Sequence, residues 1–183
     1  MRFSRLAAPA LCALFAVAGT AAAQEPTPPK PGPEHEVLKM DEGTWDAVIE
    51  IMPGSGIPSS KGVEVATMGC GGLCLITDFK GETMPGVAFH GHGVTTWDPA
   101  KKKYVGSWTD SMSQGLSISE GTWDAAAKKG TGSMEGPDMT GKIVKMRTVS
   151  EYKPDGTRVF TLHGPGPDGT EGIVMRMTYT RRK

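Results

Sequence analysis

The chain has 183 residues, and its 20 lysine and arginine side chains balance 20 aspartate and glutamate side chains. This balance, with basic residues in runs no longer than three such as the terminal Arg-Arg-Lys, argues against nucleic acid and anionic membranes as partners. The length is sufficient for one domain with its own hydrophobic core.

The N-terminal residues 1–23 have the pattern of a signal peptide. Arg2 and Arg5 precede an apolar run over residues 6–17, and small residues then lead to an expected cleavage after Ala23. The pattern predicts an exported protein, periplasmic or extracellular, with no stable membrane span after cleavage. Residues 24–33 contain five prolines and predict an extended tether, which leaves residues 34–183 as a single domain.

Residues 34–40 predict a short helix, and the rest of the chain alternates strand-like runs with turn signals. Turns are expected at residues 98–103, 124–130, 153–158 and 166–171, the last two through Asp-Gly pairs. Consecutive hairpins predict an all-β, antiparallel up-and-down meander of about 8–10 strands, which is expected to close into a barrel.

The tripeptide Thr-Trp-Asp occurs three times, at residues 44–46, 96–98 and 122–124. Threonine and tryptophan favour strands, whereas aspartate caps turns by accepting hydrogen bonds from nearby backbone amides. The second and third copies therefore predict corners where a strand enters a turn. In the first copy, Trp45 is expected to open the first strand.

The segment Gly43-Thr44-Trp45, which follows the expected helix, is similar to the Gly-x-Trp at the start of lipocalin-type barrels. In those barrels the tryptophan closes the base beneath an arginine from the last strand. The resemblance implies that Arg181 or Arg182 stacks on Trp45, a cation–π pair worth about 0.5–2 kcal/mol.

Several short motifs carry a second resemblance, which covers nearly the whole domain. They are Gly91-His92-Gly93, Asp98 before a lysine run, Trp108-x-Asp110-Ser-Met112, Glu120-Gly121, Thr140-Gly141-Lys142 and Tyr179-Thr180-Arg181. With them the chain resembles the bacterial family known as domain of unknown function 1579. The resemblance implies a lipocalin-like (calycin) barrel and implies no reaction. Thr96-Trp97, where the family has Gly-Tyr, and the Cys-x3-Cys segment depart from its pattern.

A metal site is one functional interpretation of the histidines. His90 and His92 are two residues apart, so their side chains share one face of a strand. Two such histidines can bind one metal ion with Asp110 as the third ligand. His163 is the other imidazole of the β region and can serve as a separate axial ligand for haem. The alternative is that these histidines form hydrogen bonds within the barrel wall.

A ligand cavity is the second interpretation. Tyr104, Trp108 and Met112 share one face of a strand, and so do Met175 and Met177 on the last strand. Methionine packs adaptably, and small barrels often hold one small molecule. The sequence therefore predicts a site for an apolar or amphipathic ligand, with Trp108 and Arg147 gripping it. A methionine-filled core and a solvated charged face are the alternative.

The sequence does not decide whether the two cysteines of the predicted domain, Cys70 and Cys74, form a disulfide. Residues four apart in an extended strand are about 13 Å apart, whereas a disulfide needs Cα atoms within about 7 Å. A disulfide therefore requires a tight turn at Gly71-Gly72, which glycine permits. Otherwise the two residues are small buried side chains of a strand.

Motifs for catalysis are weak in this sequence. It has no Gly-x-Ser-x-Gly elbow, phosphate-binding loop or dinucleotide fingerprint. An enzyme is therefore the less favoured interpretation, and the sequence specifies no cofactor and no oligomeric state. A structural envelope protein without a ligand remains an alternative to both binding hypotheses.

Overall fold

The computed structural model describes residues 27–84, 86–138, 140–166 and 169–183, so the expected signal peptide lies outside the described residues. One helix, α1 (Pro33–Lys39), precedes ten strands. The strands are β1 (Gly43–Ile51), β2 (Ser60–Gly69), β3 (Cys74–Met84), β4 (Val87–Asp98), β5 (Lys103–Asp110), β6 (Ser117–Asp124), β7 (Lys129–Pro137), β8 (Ile143–Tyr152), β9 (Arg158–Pro165) and β10 (Glu171–Arg181).

The ten strands form one closed antiparallel barrel. Each strand pairs with its neighbours in the chain, and β1 pairs with β10 to close the sheet. The predicted all-β, up-and-down barrel with a short N-terminal helix is therefore confirmed. Closure leaves neither β1 nor β10 as a free edge, which removes the tendency of exposed strands to pair with other chains.

The predicted corners are formed by aspartate side chains at the ends of β4 and β6. The Asp98 carboxylate accepts hydrogen bonds from the backbone N–H groups of Ala100 and Lys101, at 2.9 and 3.1 Å. Asp124 binds the backbone N–H groups of the next turn in the same way. Each aspartate satisfies amides that the strand ladder cannot reach, which fixes where the strand ends.

Strand alternation separates the interior of the barrel from its outer wall. On β1, Trp45, Ala47 and Ile49 are buried, whereas Val48 is 42 % exposed. The register places Ala47 opposite Tyr179 of β10. Because side chains alternate between the two faces of a strand, this register aligns inward residues with inward residues around the barrel.

The helix α1 covers one end of the barrel, which we call the base. Leu38 packs there with Ala66 and Leu75, and the Tyr104 hydroxyl donates a hydrogen bond to the Glu34 carbonyl at 3.0 Å. The opposite end, the mouth, is bounded by the loops that follow β1, β5, β7 and β9. Among the described residues, no helix is long and apolar enough to cross a membrane.

Candidate functional site

A cavity of about 780 Å³ runs along the barrel interior. Leu38 of α1 contributes to its wall at the base, and Asp138 contributes at the mouth. Between them the wall is mainly apolar. Eight strands contribute the apolar side chains of Ile49, Ile51, Phe79, Phe89, Trp108, Met134, Met146, Phe160, Leu162, Met175 and Met177. The volume lies within the range of about 300–1,000 Å³ that is typical of sites for small organic ligands.

Inward glycines keep the middle of the barrel open. A Cβ atom on Gly91 would lie 2.0 Å from the Trp108 ring, and one on Gly62 would lie 2.2 Å from the Phe79 ring. Both distances are far below van der Waals contact, so only glycine fits at these positions. The Trp108 ring therefore lies against the neighbouring strand β4, and the Phe79 ring lies against the neighbouring strand β2. Space remains beside both rings.

The mouth is organised by Asp110 at the end of β5. Its Oδ2 accepts a hydrogen bond from Trp108 Nε1 at 3.0 Å. Its Oδ1 accepts hydrogen bonds from the backbone N–H groups of Met112 and Ser113, both at 2.9 Å. One carboxylate thus holds the indole of the cavity wall and the loop of the mouth in a fixed relation.

A buried ion-pair cluster occupies the base of the cavity. Arg158 Nη1 donates to Asp41 Oδ1 at 2.5 Å, and Arg158 Nη2 donates to Glu64 Oε1. The Arg158 side chain is 7 % exposed and that of Glu64 is 8 % exposed. Tyr152 donates its hydroxyl proton to the same Asp41 oxygen. Because burying a charge without a partner is costly, the Arg158 guanidinium and the two carboxylates that it binds depend on each other for compensation.

Two arginines stack on the aromatic rings at the base. The guanidinium carbon of Arg181 lies 4.3 Å from the centre of the Trp45 ring, which is the pair implied by the lipocalin resemblance. The guanidinium carbon of Arg158 lies 4.0 Å from the Tyr179 ring and 5.0 Å from the Trp45 ring. Arg182 instead binds Asp46 on the outer wall.

The surroundings of this cluster shift the pKa values of its ionisable side chains. Burial raises the pKa of Glu64, and the charge of Arg158 opposes that shift. Burial also raises the pKa of Tyr179, which shares a hydrogen bond with Glu64. Burial and the neighbouring Asp41 carboxylate raise the pKa of Tyr152. Both tyrosines therefore stay protonated at neutral pH, where Tyr152 donates to Asp41 and Tyr179 donates to Met177 Sδ.

The substitution Glu64→Gln is expected to change how stability depends on pH. The folded-state pKa of Glu64 is raised above its ordinary value of 4.5. The protonated carboxyl group therefore stabilises the folded protein, and this contribution is fully present below the unfolded-state pKa. That contribution is lost as the pH rises through the folded-state pKa. Glutamine does not titrate, so the wild-type protein should lose stability relative to Glu64→Gln as the pH rises above 4.5. Denaturant unfolding of both proteins at several pH values measures this trend.

The substitution Glu151→Gln is a control for which stability should depend on pH in the opposite direction. The ammonium groups of Lys153 and Lys129 lower the pKa of Glu151 below 4.5, so its contribution is present above the unfolded-state pKa and lost as the pH falls through the folded-state pKa. The wild-type protein should therefore gain stability over Glu151→Gln as the pH rises toward 4.5. Parallel trends for the two variants would contradict the assigned shift of Glu64.

The structure places most residues of the predicted ligand site in the cavity wall. Tyr104, Trp108, Met112, Met175 and Met177 all line the cavity. Arg147 does not, and this part of the prediction needs correction. It alternates with the inward Met146 and Thr148, so it faces outward, where its guanidinium binds Glu171 through two contacts of 3.2 Å.

The structure does not bring the predicted metal ligands together. His90 and His92 are exposed on the outer wall, where His92 Nδ1 lies 2.8 Å from Asp78 Oδ1. Asp110 faces inward, because its carboxylate binds Trp108. In the described parts of the chain, no group of three or more histidine, cysteine, aspartate or glutamate side chains is placed to hold a metal ion.

The third imidazole of the β region, His163, is also outside the cavity wall. It pairs with the outward Arg147 across the β8–β9 ladder, and its Nε2 lies 3.0 Å from the Thr161 hydroxyl. Burial lowers its pKa. The predicted histidine ligands for haem therefore do not point into the barrel.

Cys70 and Cys74 lie on either side of the turn between β2 and β3. The turn has the expected tightness, with positive φ angles at Gly71 and Gly72. Both cysteines are free thiols, Cys70 exposed and Cys74 buried. Burial, followed by the hydrogen bond with Cys70, raises the pKa of the Cys74 thiol to about 11. Cys74 is thus a small buried side chain, as in the second alternative, whereas Cys70 is exposed.

Sequence reasoning missed the charged cluster at the base. Arg158 is the last residue of the predicted turn at residues 153–158, which gives no indication that it is buried. Glu64 lies between two valines, which draw attention to the apolar face of the strand. A signal was present for Glu64, because it alternates with Gly62 and Ala66 on β2. Small residues on one face of a strand indicate a crowded interior, and a single long polar side chain among them indicates a buried partner.

The fold and the site together define a closed β-barrel of lipocalin-like type, with an apolar interior cavity and a charged base. Residues 30–181 match the model of the family described as "Protein of unknown function (DUF1579)". The chain belongs to this family. No match was found among curated proteins.

Proposed function

We propose that this protein binds one small apolar or amphipathic molecule inside the barrel. The observation that carries the proposal is the cavity of about 780 Å³ beneath the mouth. Protein interiors are normally packed with few voids larger than a water molecule. A space of this size, lined mainly by apolar side chains, therefore fits a binding site better than a structural core.

The composition of the wall supports this proposal. Met134 and Met146 face each other across the β7–β8 ladder, and Met175 and Met177 follow each other on the inner face of β10. Methionine side chains are flexible and polarizable, so such a surface adapts to the shape of a ligand. Hydroxyl groups of Ser107, Ser117 and others along the wall can orient a polar group of the ligand.

We also propose that the protein acts after export, in the periplasm or outside the cell. This part rests on the signal-peptide pattern of residues 1–23. Intact-mass measurement of protein recovered from the producing cells tests it. A mature chain beginning at Gln24 is expected, and a chain that retains residues 1–23 would contradict export by this route.

Binding of a hydrophobic fluorescent probe tests the proposed cavity. The probe should bind the folded protein and quench tryptophan emission, because Trp108 lines the cavity. The substitution Trp108→Phe should remove the part of the quench that Trp108 contributes, while Trp123, which also lines the cavity, contributes the rest. Trp97→Phe is the matched control, because the Trp97 ring packs on Tyr104, 5.0 Å between ring centres, and is not part of the cavity wall.

Two results would contradict the proposal. One is a probe that binds only denatured protein, which would mean that the cavity is closed to ligands. The other is equal loss of the quench in Trp97→Phe and Trp108→Phe, which would place the probe elsewhere. Circular dichroism of each variant establishes that the fold is retained in the comparison.

A further inference from the structure

The charges that line the cavity are strongly unbalanced. Among the described residues of its wall, Arg158 is the only one with a basic side chain. Six acidic residues contribute to the same wall: Asp41, Glu64, Glu82, Asp110, Glu120 and Asp138. Glu120 is held outside the barrel by Lys101 and Lys103. The remaining imbalance is concentrated at the base and at the mouth.

At the base, the charge of Arg158, the only basic side chain in the described cavity wall, is already paired with carboxylates. The two Nη atoms of Arg158 bind Asp41 and Glu64, and its guanidinium stacks on Tyr179. The Nε atom has no partner among the described residues, but it is buried beyond the reach of solvent. An anionic group that entered the base would therefore find no free positive charge and two acidic side chains.

At the mouth, carboxylates occupy the position where the head group of an amphiphile would meet water. Asp138 Oδ1 accepts hydrogen bonds from Thr140 and from the Lys142 backbone, and these bonds lower the pKa of Asp138. Asp110 accepts bonds from backbone amides at the same end. An anionic head group placed here would lie beside the carboxyl groups of Asp138 and Asp110, and a like charge at this position is unfavourable.

We infer that the cavity selects its occupant by charge: it takes an apolar molecule whose polar group is uncharged or cationic, and it excludes anionic amphiphiles such as fatty-acid carboxylates. The inference rests on the proposed ligand-binding function and specifies the class of ligand. Both possible orientations of an anionic amphiphile are disfavoured, because the described residues of the cavity wall include no basic side chain other than the paired Arg158.

Three ligands with the same chain and different head groups test the inference. Oleyl alcohol, oleylamine and oleate are compared at neutral pH, each below the concentration at which it forms micelles, by displacement of the hydrophobic probe. The alcohol and the amine should displace the probe at concentrations about tenfold or more below that needed for oleate. Equal displacement by oleate and oleyl alcohol would overturn the inference.

Two variants locate the source of the discrimination. Asp41→Asn and Asp138→Asn each remove one negative charge and keep the Oδ1 acceptor that makes all the hydrogen bonds of that side chain. Each should improve displacement by oleate relative to oleyl alcohol. Asp46→Asn is the matched control, because Asp46 lies on the outer wall and binds Arg182, and it should leave the ratio unchanged.

The possible failures of the two proposals differ. If the probe does not bind the folded protein, the proposed function itself fails. Suppose instead that the probe binds and oleyl alcohol displaces it. If the ratio of the displacing concentrations of oleate and oleyl alcohol is then the same in the wild-type protein and all three variants, only the charge selection fails. If this ratio changes more in Asp46→Asn than in Asp41→Asn and Asp138→Asn, the inference that the cavity selects by charge is likewise overturned.

Discussion

Replacing Trp45 with alanine is expected to lower the free energy of unfolding by about 3–5 kcal/mol, the usual cost of truncating a large buried aromatic side chain. Trp45 is 2 % exposed and is the largest fully buried side chain among the described residues. Its Nε1 donates to the Asp41 carbonyl at 2.8 Å, which ties β1 to the end of α1. The substitution therefore removes core volume, a stacking surface for Arg181 and a hydrogen bond together.

Denaturant unfolding of a graded set of variants separates these contributions. Trp45→Phe retains most of the apolar volume but loses the Nε1 donor, so its cost should be smaller, about 1–2 kcal/mol more than a surface change. Val48→Ala on the same strand is the surface control, because Val48 faces the outer wall and surface substitutions usually stay within about 0.5 kcal/mol. A cost below about 1 kcal/mol for Trp45→Ala would mean that this ring contributes little to closure of the barrel.

The fold could be predicted because its determinants are local in the sequence. The turn at residues 153–158 is specified by its own residues: Asp155 Oδ1 accepts a hydrogen bond from the Thr157 N–H, and Gly156 has a positive φ angle. The same holds for the corners at Asp98 and Asp124. A series of such hairpins allows mainly one arrangement, an antiparallel meander, and the need to pair both edge strands favours closure.

The candidate site could be predicted only in part, because its polar residues meet over long sequence separations. Alternation on one strand placed Tyr104 and Trp108 in the same wall. Arg158, by contrast, lies 94 residues from Glu64 and 117 residues from Asp41. No pattern within one strand indicates that these side chains meet, since the contact depends on the register of the three pairings β9–β10, β10–β1 and β1–β2.

The hydrophobic pattern of β2 does not match the faces that its residues occupy. On β2, the valines face the outer wall, and Val65 is 43 % exposed, while Gly62 and Glu64 face inward. Hydrophobicity alone would assign the opposite faces. The reason is that the Phe79 ring lies over Gly62 and needs the space that a side chain would fill. On β2, packing against the Phe79 ring of the neighbouring strand β3 therefore overrides the usual rule that apolar residues face inward.

The Arg158 cluster gives the second large expected effect. Replacing Arg158 with methionine should lower the free energy of unfolding by about 3–5 kcal/mol at neutral pH, because it leaves buried acidic groups without their cation. Arg176→Met is the matched control. Arg176 also pairs with a glutamate, Glu50, at 3.5 Å, but the two side chains are 36 % and 40 % exposed, and exposed pairs contribute about 0–1 kcal/mol.

The pH dependence of Arg158→Met distinguishes loss of charge pairing from loss of packing. Without the Arg158 charge, burial should raise the pKa of Glu64 further than it is raised in the wild-type protein. The stability of the variant is then retained below the unfolded-state pKa of 4.5 and declines as the pH rises. Its deficit relative to the wild-type protein should accordingly be smaller at acidic than at neutral pH. The triple variant that adds Glu64→Gln and Asp41→Asn should recover much of the loss at neutral pH, because no unpaired charge is then buried. A deficit that is equal at both pH values and is unchanged in the triple variant would show that Arg158 stabilises the base through packing on Trp45 and Tyr179 alone.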